Sequence, residues 1–196
     1  ESGTLYSKQE LTELYTVCQK HNIPLFIDGA RLGYGLMAKK NDVTFEDIAN
    51  LCDVFYIGGT KVGALFGECI VILNDLYKKD FRYSIKQHGG MLAKGRMLGI
   101  QFEELFKDNR YLTISKHAID MATILSEGFQ SKGYHFYFPA ETNQLFPIFK
   151  NTKLEELSKE FAFTPWAKVD ETHTAVRFVT SFMTKRENIE YLLTKI

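Results

Sequence analysis

Cysteine is scarce in this sequence: Cys18, Cys52 and Cys69 are all it has. An odd, widely spaced set is neither a disulfide framework nor a zinc signature. Their apolar neighbours suit reduced core thiols in a cytoplasmic protein. An excess of either charge is also missing, since 24 Lys and Arg balance 24 Asp and Glu. The charges are interspersed, so no one-signed field draws the chain to nucleic acid or to an anionic membrane. No apolar run is long enough to span a bilayer, and no signal-peptide pattern opens the sequence. None of the five histidines has metal-ligand spacing. Internal repeats and low-complexity segments are absent.

What remains is an ordinary globular composition, 45% apolar and 24% charged, in a chain long enough to bury a core without disulfides. Ser7 with Glu10 forms a capping box for a helix running to His21, and Leu11, Leu14, Tyr15 and Cys18 recur at helical spacing. Pro24–Ile27 is wholly apolar and predicts a strand buried on both faces of a parallel sheet. A helix is expected over 29–38. Thr44 can cap a second over 45–49, and Asp53–Gly58 and Glu68–Leu73 read as further strands. This alternation argues for an α/β layer. Residues 76–129 read as helical with breaks at Gly89-Gly90 and at 107–109, and Ala118, Ala122, Leu125 and Phe129 make one apolar stripe. Beyond Gly133, strands are expected over 134–138, 144–149 and 175–180, and helices over 154–161 and 188–196. The expected organisation is a partial α/β large domain over 1–110 and a small α+β domain over 111–196.

Two loops carry candidate chemistry. Asp28 and Lys61 each follow an apolar strand, and ligands of open α/β sheets bind at the carboxyl ends of such strands. Asp28 reads either as a helix N-cap or as a buried carboxylate awaiting a ligand cation, such as a protonated ring nitrogen. Lys61, in Gly58-Gly59-Thr60-Lys61, reads as a surface lysine or as a Schiff-base lysine. A phosphate-binding P-loop fails on order, because Thr precedes Lys. A Schiff-base lysine needs partial desolvation, which Phe55, Tyr56, Ile57, Val62, Ala64, Leu65 and Phe66 could provide. Gly58, Gly59 and Gly63 would let the backbone approach a bulky ligand. Arg31 sits unfavourably on a first helical turn unless an anion faces it. Arg177 reads as a cross-strand ion pair on an exposed face or as a carboxylate anchor. Gln87–Gly90 reads as a turn, His173 as solvent-facing, and Asn143 as a possible neighbour of the site.

Phe26-Ile27-Asp28-Gly29-Ala30-Arg31-Leu32 followed by Gly58-Gly59-Thr60-Lys61 resembles the paired motifs of threonine aldolases and related β-eliminating lyases. Gly3-Thr4-Leu5-Tyr6 and Thr174–Thr180 extend the resemblance along the chain. It implies a fold-type-I enzyme using pyridoxal 5'-phosphate (PLP), with this chain as its C-terminal part. It also implies roles: Lys61 as the Schiff-base lysine, Asp28 on the pyridine nitrogen, and Arg31 near the phenolic oxygen. Gly59 and Thr60 would border the cofactor, and Arg177 would hold the substrate carboxylate. The implied reaction is aldol cleavage of a β-hydroxy amino acid or β-elimination, in a homo-oligomer. The resemblance also implies a longer N-terminal part carrying the phosphate cradle, so this chain alone is expected to be an incomplete enzyme. An aminotransferase or desulfurase, and a catalytically silent interaction module, are the rival readings.

Overall fold

The computed structural model describes residues 2–196. Two compact units divide after Ile114. One comprises Tyr6–Leu36 and Asn41–Ile114; the other comprises Met37–Lys40, Ser115–Ile196 and the segment up to Leu5.

The first unit opens with α1 (Lys8–Lys20), capped as its sequence predicts: the Ser7 amide donates to Glu10 Oε2 at 2.8 Å, and the Glu10 amide to Ser7 Oγ at 3.2 Å. Then come β1 (Phe26–Ile27), α2 (Leu32–Leu36), α3 (Phe45–Asn50), β2 (Val54–Gly58) and β3 (Glu68–Ile72). Thr44 and Asp47 form a second capping box on α3. The sheet order is β1-β2-β3, with β1 parallel to β2 and β3 antiparallel to it. The Gly59–Gly67 connection explains β3, because a return to parallel needs a crossover of about a dozen residues or more. Asp53 is buried and satisfied: its carboxylate accepts from the Leu25 amide and from Asn74 Nδ2, both at 2.8 Å. It thereby clips the start of β1 to the chain leaving β3.

Two expectations fail here. Pro24–Ile27 is not buried on both faces: Phe26 is 56% exposed, and β1 is an edge strand with one neighbour. β3 forms as expected, with Glu68 and Ile70 exposed. On both strands one face is partly open, with Phe26 56% and Ile70 49% exposed. The helix expected over 29–38 shrinks to α2, because residues 28–31 are held in a turn described below. α4 (Phe81–Gln87) and α5 (Arg96–Phe106) follow. Gly89 at φ +77° closes α4, its neighbour's amide bonding back to the Ile85 carbonyl at 2.8 Å, so Gln87–Gly90 is a helix-ending turn.

α6 (Arg110–Ser131) belongs to the second unit from Ser115 on, where it buries the expected stripe of Ala118, Ala122, Leu125 and Phe129. It packs on a sheet of β4 (Gln144–Leu145), β5 (Ile148–Lys150), β6 (Thr164–Lys168) and β7 (His173–Val179), all antiparallel to β7. α7 (Asn151–Leu157) and α8 (Arg186–Thr194) complete it. Phe129 centres the core, its ring 5.6 Å from both Phe149 and Phe178. The strand expected over 144–149 is split by Pro147, which has no amide to donate. Of 134–138 only an isolated bridge forms, Phe136 to Pro147. β6 was not anticipated. None of the described helices is long and apolar enough to cross a membrane.

Candidate active site

Parallel pairing of β1 with β2 brings their carboxyl ends to one edge, where Asp28 and Lys61 emerge. The Gly58 amide donates to the Gly29 carbonyl at 2.9 Å, tying the two loops together directly. This approach demands glycine on both sides. A Cβ on Gly29 would overlap the Tyr56 carbonyl, and one on Gly58 would lie 2.6 Å from the Ala30 carbonyl carbon. At Gly59 a Cβ would meet the Gly67 oxygen at 2.6 Å and Phe102 Cζ at 2.7 Å. The internal packing of the two loops therefore requires these glycines.

Two buried tyrosines brace the lysine loop. Tyr111, on α6, receives the Gly33 amide at 3.1 Å and donates to the Gly58 carbonyl at 3.0 Å. Tyr34, on α2, donates to the carbonyl of Lys61 itself. Both are 1% exposed. Burial pushes the Tyr111 hydroxyl well above the ordinary phenol range, so it stays a donor. The Gly59 amide is taken by Glu68 Oε2 at 2.7 Å, and Thr60 Oγ1 lies 3.4 Å from the Gly67 carbonyl. The loop backbone is thus fixed, while the Lys61 side chain is exposed.

That exposure corrects the expected apolar enclosure. Phe55, Ile57 and Val62 turn into the core, whereas Leu65 is 85% exposed. Among the described residues Lys61 Nζ has neither an ion pair nor a hydrogen bond, and the same holds for the Arg31 guanidinium.

Asp28 is exposed rather than buried, and it does not cap α2, which begins only at Leu32. Its Oδ1 accepts from the Ala30 amide at 3.0 Å and from the Tyr56 hydroxyl. Oδ2 receives no hydrogen bond from a described residue. The Tyr56 bond, then the Ala30 amide, then the nearby charge of Lys61 hold the carboxyl below the usual aspartate range. Tyr56 is pushed up to about 12, by burial first and by Asp28 second. Asp28 therefore stays ionised as pH falls past the point where a free aspartate protonates, and is neutralised only at lower pH. Tyr56→Phe removes the strongest of these effects. Its Asp28 pKa is expected to rise toward the ordinary 3.8, read from the carboxyl carbon shift in an NMR titration. An unchanged titration would show that the tyrosine does not control this group.

Arg177 lies on β7 in the other unit, half-buried, opposite Thr164 of β6. Its Nε is buried without a hydrogen-bond partner among the described residues, and the guanidinium carbon sits 5.7 Å from the centre of the Trp166 ring. The alternative of a cross-strand ion pair is not realised within the described residues. Asn143 is buried, with Nδ2 on the Thr180 carbonyl at 2.7 Å and Oδ1 unpaired. His173 is not free in solvent: it is half-buried and its Nδ1 lies 3.0 Å from Asp170 Oδ2. Among the described residues no group of three or more His, Cys, Asp or Glu is arranged to hold a metal.

Sequence reasoning missed Tyr34, Tyr56, Tyr111 and Trp166. Only Tyr56 left a trace. It alternates with core-facing Phe55 and Ile57, so its hydroxyl had to lie on the opposite face of β2.

The donor set can be matched to PLP group by group. Lys61 offers an amine for its aldehyde, Asp28 Oδ2 an acceptor for its ring N–H, and Arg31 a cation for its phenolic oxygen. These residues fit three of its groups; none of them addresses its phosphate.

A family model described as beta-eliminating lyase matches residues 1–152. A low specificity L-threonine aldolase of a Pseudomonas species is 32% identical over 161 residues, which are 80% of this chain and 46% of that protein. The chain thus spans about half the length of the curated relatives it matches. A solved structure of the threonine aldolase of Leishmania major is similar at 42% identity and a TM-score of 0.97, over 99% of this chain and 57% of that one. Aspartate aminotransferase of Thermotoga maritima, 18% identical with a TM-score of 0.68 over 98% of this chain and 52% of its own, shares the fold alone. The architecture is accordingly part of the fold-type-I arrangement.

Proposed function

The chain belongs to the beta-eliminating lyase family, and from that premise we propose that the protein is a PLP-dependent lyase cleaving threonine-type β-hydroxy amino acids to glycine and an aldehyde. One observation carries this reading. An ionised carboxylate with an unengaged oxygen, Asp28, and an unpaired amine, Lys61, leave the carboxyl ends of two paired parallel strands. The name of the Pseudomonas relative, a low specificity L-threonine aldolase, favours aldol cleavage over β-elimination.

When bound, PLP supplies an electron sink for the bond broken at the substrate amino acid. The chain's own residues do the holding. Lys61 would fasten the cofactor through its aldehyde carbon, on a loop that Tyr34 and Tyr111 keep from shifting. Asp28 would accept the ring N–H through Oδ2, and its lowered pKa would favour leaving that proton on the ring nitrogen. Arg31 would face the phenolic oxygen, beside the backbone of Gly59 and Thr60. Arg177 would take the α-carboxylate in two parallel hydrogen bonds, which fixes how the substrate lies. The free thiols fit a cytoplasmic enzyme. Exposed Phe26, Leu65 and Leu76 fit a homo-oligomer in which other protein surface covers them.

Incubated with PLP and L-threonine, the complete gene product is expected to release glycine and acetaldehyde in equal amounts. 2-Oxobutanoate with ammonia would assign β-elimination instead. Transfer of the amino group to an added 2-oxo acid would assign an aminotransferase, and failure to take up PLP would favour an interaction module.

A further inference from the structure

Trp166 is the one tryptophan of the chain. On β6 the register with β7 slips between Pro165 and Ala167, which pair with Val176 and Ala175. Trp166 is the residue left over, and a bulge of this kind re-aims the side chain it carries. The ring is turned under Arg177, whose guanidinium carbon lies 5.7 Å from its centre. The ring also meets fully buried Phe146 edge-on at 4.8 Å, with Phe138 at 6.3 Å. Phe138 and Phe146 also meet edge-on at 5.2 Å, so the support is a packed aromatic stack.

An arginine can be oriented by a carboxylate or by an aromatic face. A carboxylate would fix the guanidinium and also cancel its charge. An aromatic face holds it by the ring quadrupole and leaves charge and donors unspent. Arg177 has the second kind of support. It has no ion pair among the described residues, and its buried Nε lacks an acceptor. A buried donor without a partner is costly unless a ligand supplies one.

We propose that Trp166 is a positioning residue: it orients Arg177 for the substrate carboxylate without neutralising it. This rests on the reading of Arg177 as the carboxylate anchor. It adds that anchoring strength is set from β6, by a residue that itself makes no bond to substrate.

The test is steady-state kinetics of the PLP-loaded complete gene product with L-threonine. Trp166→Ala is expected to raise KM about 2- to 30-fold, the range of one cation–aromatic contact, with KM rising by more than kcat falls. Trp166→Phe, which keeps an aromatic face, should recover most of the loss. Arg177→Gln separates the two layers of the argument. If it raises KM while Trp166→Ala does not, the platform is wrong and the anchor stands. If Arg177→Gln leaves KM unchanged, both are wrong. Should Trp166→Ala not fold, fluorescence of the unaltered protein decides. Emission absent from Trp166→Phe should respond saturably to L-threonine and not to its methyl ester. An equal response to the ester would overturn the proposal.

Discussion

Lys61→Ala is expected to lower lyase activity about a thousandfold or more while leaving the melting temperature unchanged. The first half follows from the proposed role, since a covalent anchor has no substitute among neighbouring side chains. The second half follows from the structure. The Lys61 side chain is exposed and makes no hydrogen bond or ion pair among the described residues. What the fold needs from position 61 is its carbonyl, which receives the Tyr34 hydroxyl and is unchanged in alanine. Surface truncations of this type move stability by about half a kcal/mol or less. Loss of activity in a protein that melts normally would therefore be chemical. Full activity in the variant would remove Lys61 from the mechanism.

Gly29→Ala is expected to do the reverse, destabilising the protein by more than about 3 kcal/mol. The added methyl would overlap the Tyr56 carbonyl oxygen and lie 2.9 Å from its carbon, so backbone meets backbone and no rotamer change relieves it. The loop must move off β2. It would carry away the Gly58–Gly29 hydrogen bond and the grip of Tyr56 on Asp28. Equilibrium denaturation reads the effect. A midpoint like that of the unaltered protein would show that the loops do not approach as described. The contrast between positions 29 and 61 separates the residues that build the edge from the residue that uses it.

The edge itself was legible in the sequence for a local reason. Each site residue follows a short apolar run, and two parallel strands place their carboxyl ends together whatever else the chain does. The capping boxes at Ser7 and Thr44 were legible likewise, because the groups involved lie three residues apart. Burial was less so. The run at 24–27 looks like an interior strand, yet Phe26 is exposed. Composition reports what a strand is suited to, and the neighbouring layers decide whether it is covered.

The residues that tune the site were hidden for a related reason. Tyr34 and Tyr111 act through hydroxyls on distant backbone carbonyls, 27 and 53 positions away. No periodicity marks such a pair. Trp166 is displayed by a bulge beside Pro165, where the alternation that announces a strand is broken. Pro147 broke another expected strand by the same physics, the loss of an amide.

The central claim is that Lys61 is the residue that takes the cofactor, and reduction tests it most directly. The complete gene product is mixed with PLP and treated with borohydride, and the labelled peptide is mapped by mass spectrometry. The account predicts one pyridoxyl group per chain, on Lys61. Stoichiometric label on another lysine, or label scattered over several surface lysines, would contradict it.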